Sequence, residues 1–422
     1  MKSSSKFFEA FGPGLLYAGA AIGVSHLVQS TRAGADFGYE LLWAILLVNV
    51  LKYPFFEIAT RYTVKNEKSI LEAYREIGNW ALVVFFVFTF FTMFIIISAV
   101  STVTSGLFLQ ILPEAFISLF SNLYPGPLWW ICSIILILST GLLFMGSYSF
   151  LDKLMKWIVI GLTISTIIAL IVSLTGNFEK KAEFERSFDF FKEVDVKFFI
   201  ALLGWMPIPV EASVWQSDWI LAKKEQNGKM PDYSLASLDF QVGYWGTTIL
   251  AVCFLSLGAI VMYASGNQFQ DGSVAFSKQL IDLYTLNLGT WAYPIIAICA
   301  FFTMFSTNIT CLDAYPRVCA RTLKMFVPRW DNLYRPILIL LSLGTLLILF
   351  YFQKSMREIV DFATTVSFLL APILASINYK VMNEKYLGKD FTPSPLYMWI
   401  ARAGLVFLYG FSFYYIYLNY IK

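Results

Sequence analysis

An all-α integral membrane protein of about eleven transmembrane helices is the fold class this sequence predicts, and three observations carry the prediction. Of its 422 residues, 58% are hydrophobic and only 14% charged, whereas a soluble chain runs near 25% charged because its surface must be wetted. Aromatic residues make up 18%, with 12 Trp and 23 Tyr among them, and both types favour headgroup depth. Apolar stretches of about 20 residues, the length that crosses a hydrocarbon layer of about 30 Å, recur from end to end.

Those stretches run 12–36, 39–60, 81–111, 128–146, 153–174, 197–221, 238–263, 290–312, 334–352, 358–379 and 398–420. The longest polar connections, 175–196, 222–237 and 264–289, are too short for a separate soluble domain. The chain therefore reads as one transmembrane domain over 1–422. The polar opening Met1–Lys6 and the lack of a small-residue cleavage site predict no cleavable signal peptide. With the N-terminus inside, about 19 Lys and Arg fall in inner loops, including Lys2, Lys6, Lys153 and Lys156, against about 10 outside, including Lys180, Lys181, Lys354 and Lys422. That asymmetry, with an odd number of spans, predicts a cytoplasmic N-terminus, an external C-terminus and insertion in the plasma (inner) membrane. The five Cys lie in or beside apolar runs without a CxxC pair and read as small buried hydrophobes. A net charge of +3 gives no reason to expect nucleic acid as a partner; the partners implied are the lipid bilayer and a small inorganic solute, with no protein partner.

Spans one and six are unusual. The first, GPGLLYAGAAIGVSHLVQSTRAGADFGY, carries Gly23, Val24, Ser25 and His26 at mid-depth. The sixth, FFIALLGWMPIPVEASVWQSDW, places Pro207 and Pro209 there, preceded by Met206 and followed by Glu211 and Ser213. Two prolines one residue apart remove backbone donors and clash with the preceding turn, so an unbroken helix is not expected. Irregular backbone at that depth persists only where it faces protein or a wet cavity. Segments one and six are equivalent if two five-helix repeats, 1–175 and 176–380, are followed by an extra helix in 381–422, and an odd-numbered repeat must insert upside down relative to its partner. Paired interruptions of this kind point to a transporter site. No HExxH, nucleophile elbow or phosphate loop is present, which weighs against an enzyme.

At these residues the sequence resembles the Nramp family of secondary transporters, whose architecture is the LeuT-like inverted repeat. The resemblance lies in Gly12-Pro13-Gly14, in Arg32-Ala33-Gly34-Ala35 with Phe37-Gly38-Tyr39 and Leu42-Trp43, in Ser69-Ile70-Leu71-Glu72-Ala73-Tyr74-Arg75-Glu76, which looks like the family's short inner helix after span two, and in Met206-Pro207. It implies alternating access around the two breaks. The departures bear on the solute. Where the family reads Asp-Pro-Gly-Asn and binds a transition metal, this chain has Gly23, Val24, Ser25 and His26, so the anionic ligand is gone. On span six the family's Met-Pro-His-Asn aligns either on Met206-Pro207, keeping the sulfur, or on Pro209 to Ala212, losing it. Span three has no ionisable residue between Ala81 and Leu112, whereas the family's proton route uses acidic residues there.

Two solute classes remain open on these residues. A small anion such as bicarbonate would suit the N–H groups at the start of each second half-helix, where the helix dipole is positive, with hydroxyls of Ser25 and Ser213 and a ring N–H of His26. Lys52, halfway through span two, would compensate charge, in the solute site or against Glu57 or Glu211. A divalent cation such as Mn²⁺, Fe²⁺ or Mg²⁺ would instead need the set His26, Met206 and Glu211. Asn308, Thr364 and Thr365 are candidate oxygen ligands for a coupling ion, Na⁺ or H⁺; no other cofactor is expected. Asp218, Asp313 and Asp361, near span ends, read as structural.

Overall fold

The computed structural model describes residues 12–145, 148–175, 186–263, 269–270, 272–351 and 356–421; Met1–Lys6, Lys180, Lys181, Lys354 and Lys422 lie outside them. Every regular element among the described residues is helical. Span one is interrupted: α1 (Pro13–Ala21), a π-helical segment Val24–Ser30, then α2 (Thr31–Phe37). Spans two to five are α3 (Leu42–Asn66), α5 (Asn79–Leu109), α7 (Pro127–Met145) and α8 (Tyr148–Ser173). The short α4 (Ile70–Ile77) and α6 (Glu114–Ser121) lie between them. Span six is α9 (Glu193–Gly204) and α10 (Ala212–Asn227), separated by seven residues of irregular backbone from Trp205 to Glu211. Then come α11 (Tyr233–Val261), α12 (Ser273–Leu288), α13 (Tyr293–Phe326), α14 (Tyr334–Tyr351), α15 (Met356–Val381), the single turn α16 (Glu384–Leu387) and α17 (Pro395–Tyr420).

All eleven predicted spans are thus helices, and both predicted interruptions occur. Eight unbroken helices among the described residues are long and apolar enough to cross a membrane. Spans one and six fall short of that length because each is cut in two, and of α8 only Thr163–Ser173 counts, as a shorter apolar helix. The sequence reading left 264–289 as a polar connection; most of it is α12, whose apolar and polar residues are mixed so that no 20-residue apolar run announces it.

The first span lies along α11 over its whole length, and glycine permits the approach. A Cβ on Gly14 would fall 2.0 Å from the Asp239 carbonyl oxygen, and one on Gly34 1.9 Å from that of Leu255. The partner helix is relieved in the same way, because a Cβ on Gly243 or Gly258 would strike the backbone of Gly14 or Thr31. Without a hydrophobic driving force between helices in lipid, such backbone contact is what holds them together. The start of α1 is clasped as well: the Asp239 carboxylate accepts from the N–H groups of Gly12 at 3.2 Å and Gly14 at 2.7 Å, satisfying donors that a helix start leaves free. The motifs Gly12-Pro13-Gly14 and Ala33-Gly34-Ala35 are therefore two halves of one helix seam.

Replacing Gly34 by Val should destabilise the folded protein by about 1–3 kcal/mol, the cost of overpacking a tight contact. Thermal unfolding of the detergent-purified variant checks this; a melting temperature equal to wild type would mean that the seam yields freely.

Candidate functional site

The helix of span one stops because Gly23 adopts φ −141° and ψ −126°, off the helical path. Its N–H turns back to the Ala21 carbonyl at 2.8 Å, while its own carbonyl accepts from His26 and Leu27. Among the described residues, the N–H groups of Val24 and Ser25, first in the second half, have no backbone acceptor. In span six, Pro207 and Pro209 have no N–H to continue α9, and the break places their ring-bearing backbone beside the first one. The Ser25 hydroxyl oxygen lies 3.3 Å from the Pro207 carbonyl oxygen, so the two breaks stand side by side.

Between the breaks is a cavity of about 20 Å³, room for one water-sized group, so a larger solute would enter only after the walls part. Ala20, Ala21, Val24 and Ser25 wall it on one side and Trp205, Pro207, Ile208 and Pro209 on the other. Ile96 and Val100 of α5, Trp215 of α10, and Thr307 and Cys311 of α13 complete it. No ionisable carboxylate or ammonium is among these residues. Two polar clusters tie the second halves of the broken spans to other helices. At one, Arg32 donates to Asp361 at 2.8 and 3.3 Å and to Gln29 at 2.8 Å, and Gln29 donates to Asp361 at 2.9 Å. At the other, Asp218 accepts from Arg321 at 2.9 Å and from Ser69 at 2.8 Å, while the Ser217 and Thr63 hydroxyls meet at 2.6 Å. Asp361 and Asp218, read from sequence as structural, hold these two clusters; Asp313 pairs with Arg317 at 2.7 Å.

Of the residues singled out from sequence, Gly23 borders the cavity region and Val24, Ser25, Pro207 and Pro209 line it. Met206 is fully buried outside its wall. His26 points away: its Nε2 donates to the Thr247 carbonyl at 3.0 Å, and its Nδ1 meets the Ser25 hydroxyl at 2.7 Å. Glu211 caps α10 in position only, since its carboxylate is turned to the Tyr315 hydroxyl at 2.5 Å and the Thr92 hydroxyl at 3.5 Å. His26, Met206 and Glu211 are therefore not gathered into one ligand set, and among the described residues no group of three or more His, Cys, Asp or Glu stands ready for a metal. The Ser213 hydroxyl accepts from Asn378 at 3.0 Å.

Lys52 has neither partner expected for it. Its buried ammonium donates to the carbonyls of Leu203 at 2.7 Å and Gly204 at 3.1 Å, the C-terminal end of α9, where the helix dipole is negative. Glu57 is held instead by Arg61 at 3.1 Å and by the Tyr233 and Tyr397 hydroxyls at 2.6 Å each. Asn308 donates to the Ser101 hydroxyl at 2.8 Å, Thr364 to its own helix at Val360, and Thr365 is half-buried. Sequence reasoning missed Thr307. Its hydroxyl oxygen stands 3.0 Å from the Gly19 carbonyl oxygen, 3.2 Å from that of Ile22 and 3.3 Å from that of Thr303. A Cβ at position 23 would sit 2.8 Å from it, so the contact requires glycine there. Nothing in the hydropathy of α13 marks one threonine among several.

The sequence and fold were compared with known proteins. The family model "Natural resistance-associated macrophage protein-like" (Nramp) matches residues 14–418. An uncharacterized protein of Pasteurella multocida (strain Pm70) is 33% identical over 413 residues, covering 96% of this chain and 91% of that one. "Metal transporter NRAT1" of Oryza sativa subsp. japonica is 39% identical, but over only 71 residues, 17% of this chain and 13% of that one. Among solved structures, a manganese transporter of Eremococcus coleocola superposes with a TM-score of 0.70 at 12% identity, over 97% of this chain and 86% of that one. MhsT in complex with L-phenylalanine superposes with a TM-score of 0.58 at 14% identity, over 95% of this chain and 98% of that one. At those identities the two structures speak for the LeuT-like fold alone. Taken with the two interrupted spans, the match along nearly the whole length settles the family: the chain belongs to the Nramp family and is a membrane transporter, not an enzyme.

Proposed function

We propose that the protein is a secondary active transporter that carries a small inorganic anion, bicarbonate foremost, by alternating access through the cavity between the two breaks. The observation that carries this reading is the chemistry of the cavity wall. It holds backbone N–H groups without backbone partners at the start of a half-helix, and no carboxylate. A dehydrated divalent cation without compensating negative charge would cost several kcal/mol in such a place. An anion there would gain from the helix start. Lys52 supports the site from behind: by holding the Leu203 and Gly204 carbonyls it keeps the negative end of α9 satisfied and the break open.

A second reading is transport of a divalent metal such as Mn²⁺, Fe²⁺ or Mg²⁺. Two named proteins similar to this chain, in rice and in Eremococcus coleocola, are metal transporters. Glu211, buried next to the span-six break with only hydroxyl partners among the described residues, is the carboxylate such an ion would recruit. The membrane would be the plasma (inner) membrane, with the N-terminus cytoplasmic.

Uptake into proteoliposomes of labelled bicarbonate and of Mn²⁺ in parallel separates the readings. Saturable bicarbonate uptake is expected, and saturable Mn²⁺ uptake alone would replace the first reading by the second. Replacing Lys52 by Met removes the donor to the buried Gly204 carbonyl and leaves the Leu203 carbonyl with the Met206 N–H at 3.3 Å, a cost of about 1–3 kcal/mol. The variant should lose most transport while still eluting as a folded monodisperse species; wild-type uptake rates would show that the break does not need its cap.

A further inference from the structure

Four side chains on the cavity wall carry an O–H or N–H group, and three of them are committed elsewhere. The Ser25 hydroxyl stands 3.0 Å from the Ala21 carbonyl oxygen and 2.7 Å from His26 Nδ1. The Thr307 hydroxyl faces the carbonyl oxygens of Gly19, Ile22 and Thr303 within 3.3 Å. The Trp205 indole donates to the Ser367 hydroxyl at 2.7 Å. Trp215 differs. It borders the cavity and is 1% exposed, yet its Nε1–H has no acceptor among the described residues. A buried indole N–H normally finds a partner, and one left without it in a native structure asks for an explanation such as a bound ion or water. The ring is held firmly. It packs edge-to-face on Tyr315, with centroids 4.8 Å apart and planes at 76°, and on Trp219 at 6.2 Å. The Tyr315 hydroxyl is fixed in turn by the Glu211 carboxylate at 2.5 Å. Gln216 and Trp219 also have unpartnered buried polar atoms, but neither residue borders the cavity.

An indole nitrogen donates and cannot accept, so this polar atom offers a cation no ligand. It suits an oxygen that carries negative charge, since a hydrogen bond to an ionised acceptor is stronger than one between neutral groups and gains further in a water-poor space. We propose that Trp215 is a solute-binding residue whose Nε1–H donates to the transported oxyanion, alongside the Val24 and Ser25 N–H groups of span one. Donors from both broken spans then share one solute. The bound anion links α10 to the second half of span one, and the empty cavity leaves the indole N–H unsatisfied. This inference rests on the anion reading of the cavity and names the side chain that would recognise the anion.

The test uses detergent-purified protein labelled with ¹⁵N at the indole nitrogens, titrated with bicarbonate at constant ionic strength and followed by NMR. One indole N–H resonance should move saturably, and it should be the one missing from the spectrum of Trp215→Phe. In proteoliposomes the same variant, which keeps an aromatic ring on the wall, should raise the apparent KM for labelled bicarbonate by about tenfold or more and leave the maximal rate little changed, as loss of a ground-state hydrogen bond to a charged solute does. A variant that merely disturbed packing would lower the maximal rate instead. If the wild type takes up bicarbonate and no indole resonance moves with it, the inference is overturned, whether or not the Phe variant folds. A Phe variant with the wild-type KM overturns it as well. If the wild type takes up no bicarbonate, the anion reading itself fails and this inference fails with it.

Discussion

Backbone polar groups freed inside a low-dielectric layer must find partners, and that constraint organises this molecule. Two helices are cut at mid-depth, and each cut releases carbonyls on one side and N–H groups on the other. An ammonium from α3 donates to the carbonyls at the end of α9, while a single hydroxyl from α13 stands within reach of two carbonyls at the end of α1 and can donate to one at a time. The N–H groups at the start of the second half of span one are left to the cavity.

The surrounding helices exist to hold those cuts in register. Backbone contact along α11 positions both halves of span one, and the Gly204 backbone approaches Thr364 of α15 so closely that a Cβ would fall 2.0 Å from its carbonyl oxygen. The Trp205 indole donates to Ser367 on the same helix at 2.7 Å, so the first residue of the span-six break is pinned as its helix ends. Charge ties the second halves of both broken spans to other helices, through Arg32 with Asp361 and Arg321 with Asp218.

Much of this could be read from sequence. Hydropathy located all eleven spans, because lipid demands long apolar runs, and the paired prolines of span six announced its break. The small-residue motifs of span one were recognisable, although their purpose became clear only with Gly243 and Gly258 opposite them. Side-chain partners were not legible. His26 looked like a ligand because it is the only histidine and sits at a break, yet its ring is engaged by Thr247 and Ser25. Lys52 was noticed for its charge, but its partners are main-chain oxygens, which carry no sequence signature. Thr307 was overlooked for the same reason, since its importance comes from the carbonyls around it.

The seam between span one and α11 has a mechanical corollary. Gly14 and Gly34 lie on opposite sides of the interruption, and each is keyed to a different point on one continuous neighbour. Two segments mounted separately on a common rail cannot pivot against each other unless the link at Ile22–Gly23 flexes or one mounting slides. Sliding would drag a backbone past a backbone at van der Waals distance, while flexing asks for rotation at only a couple of peptide units. The compliance of the whole first span is thereby concentrated in two residues that lie between Ala21 and Val24 of the cavity wall.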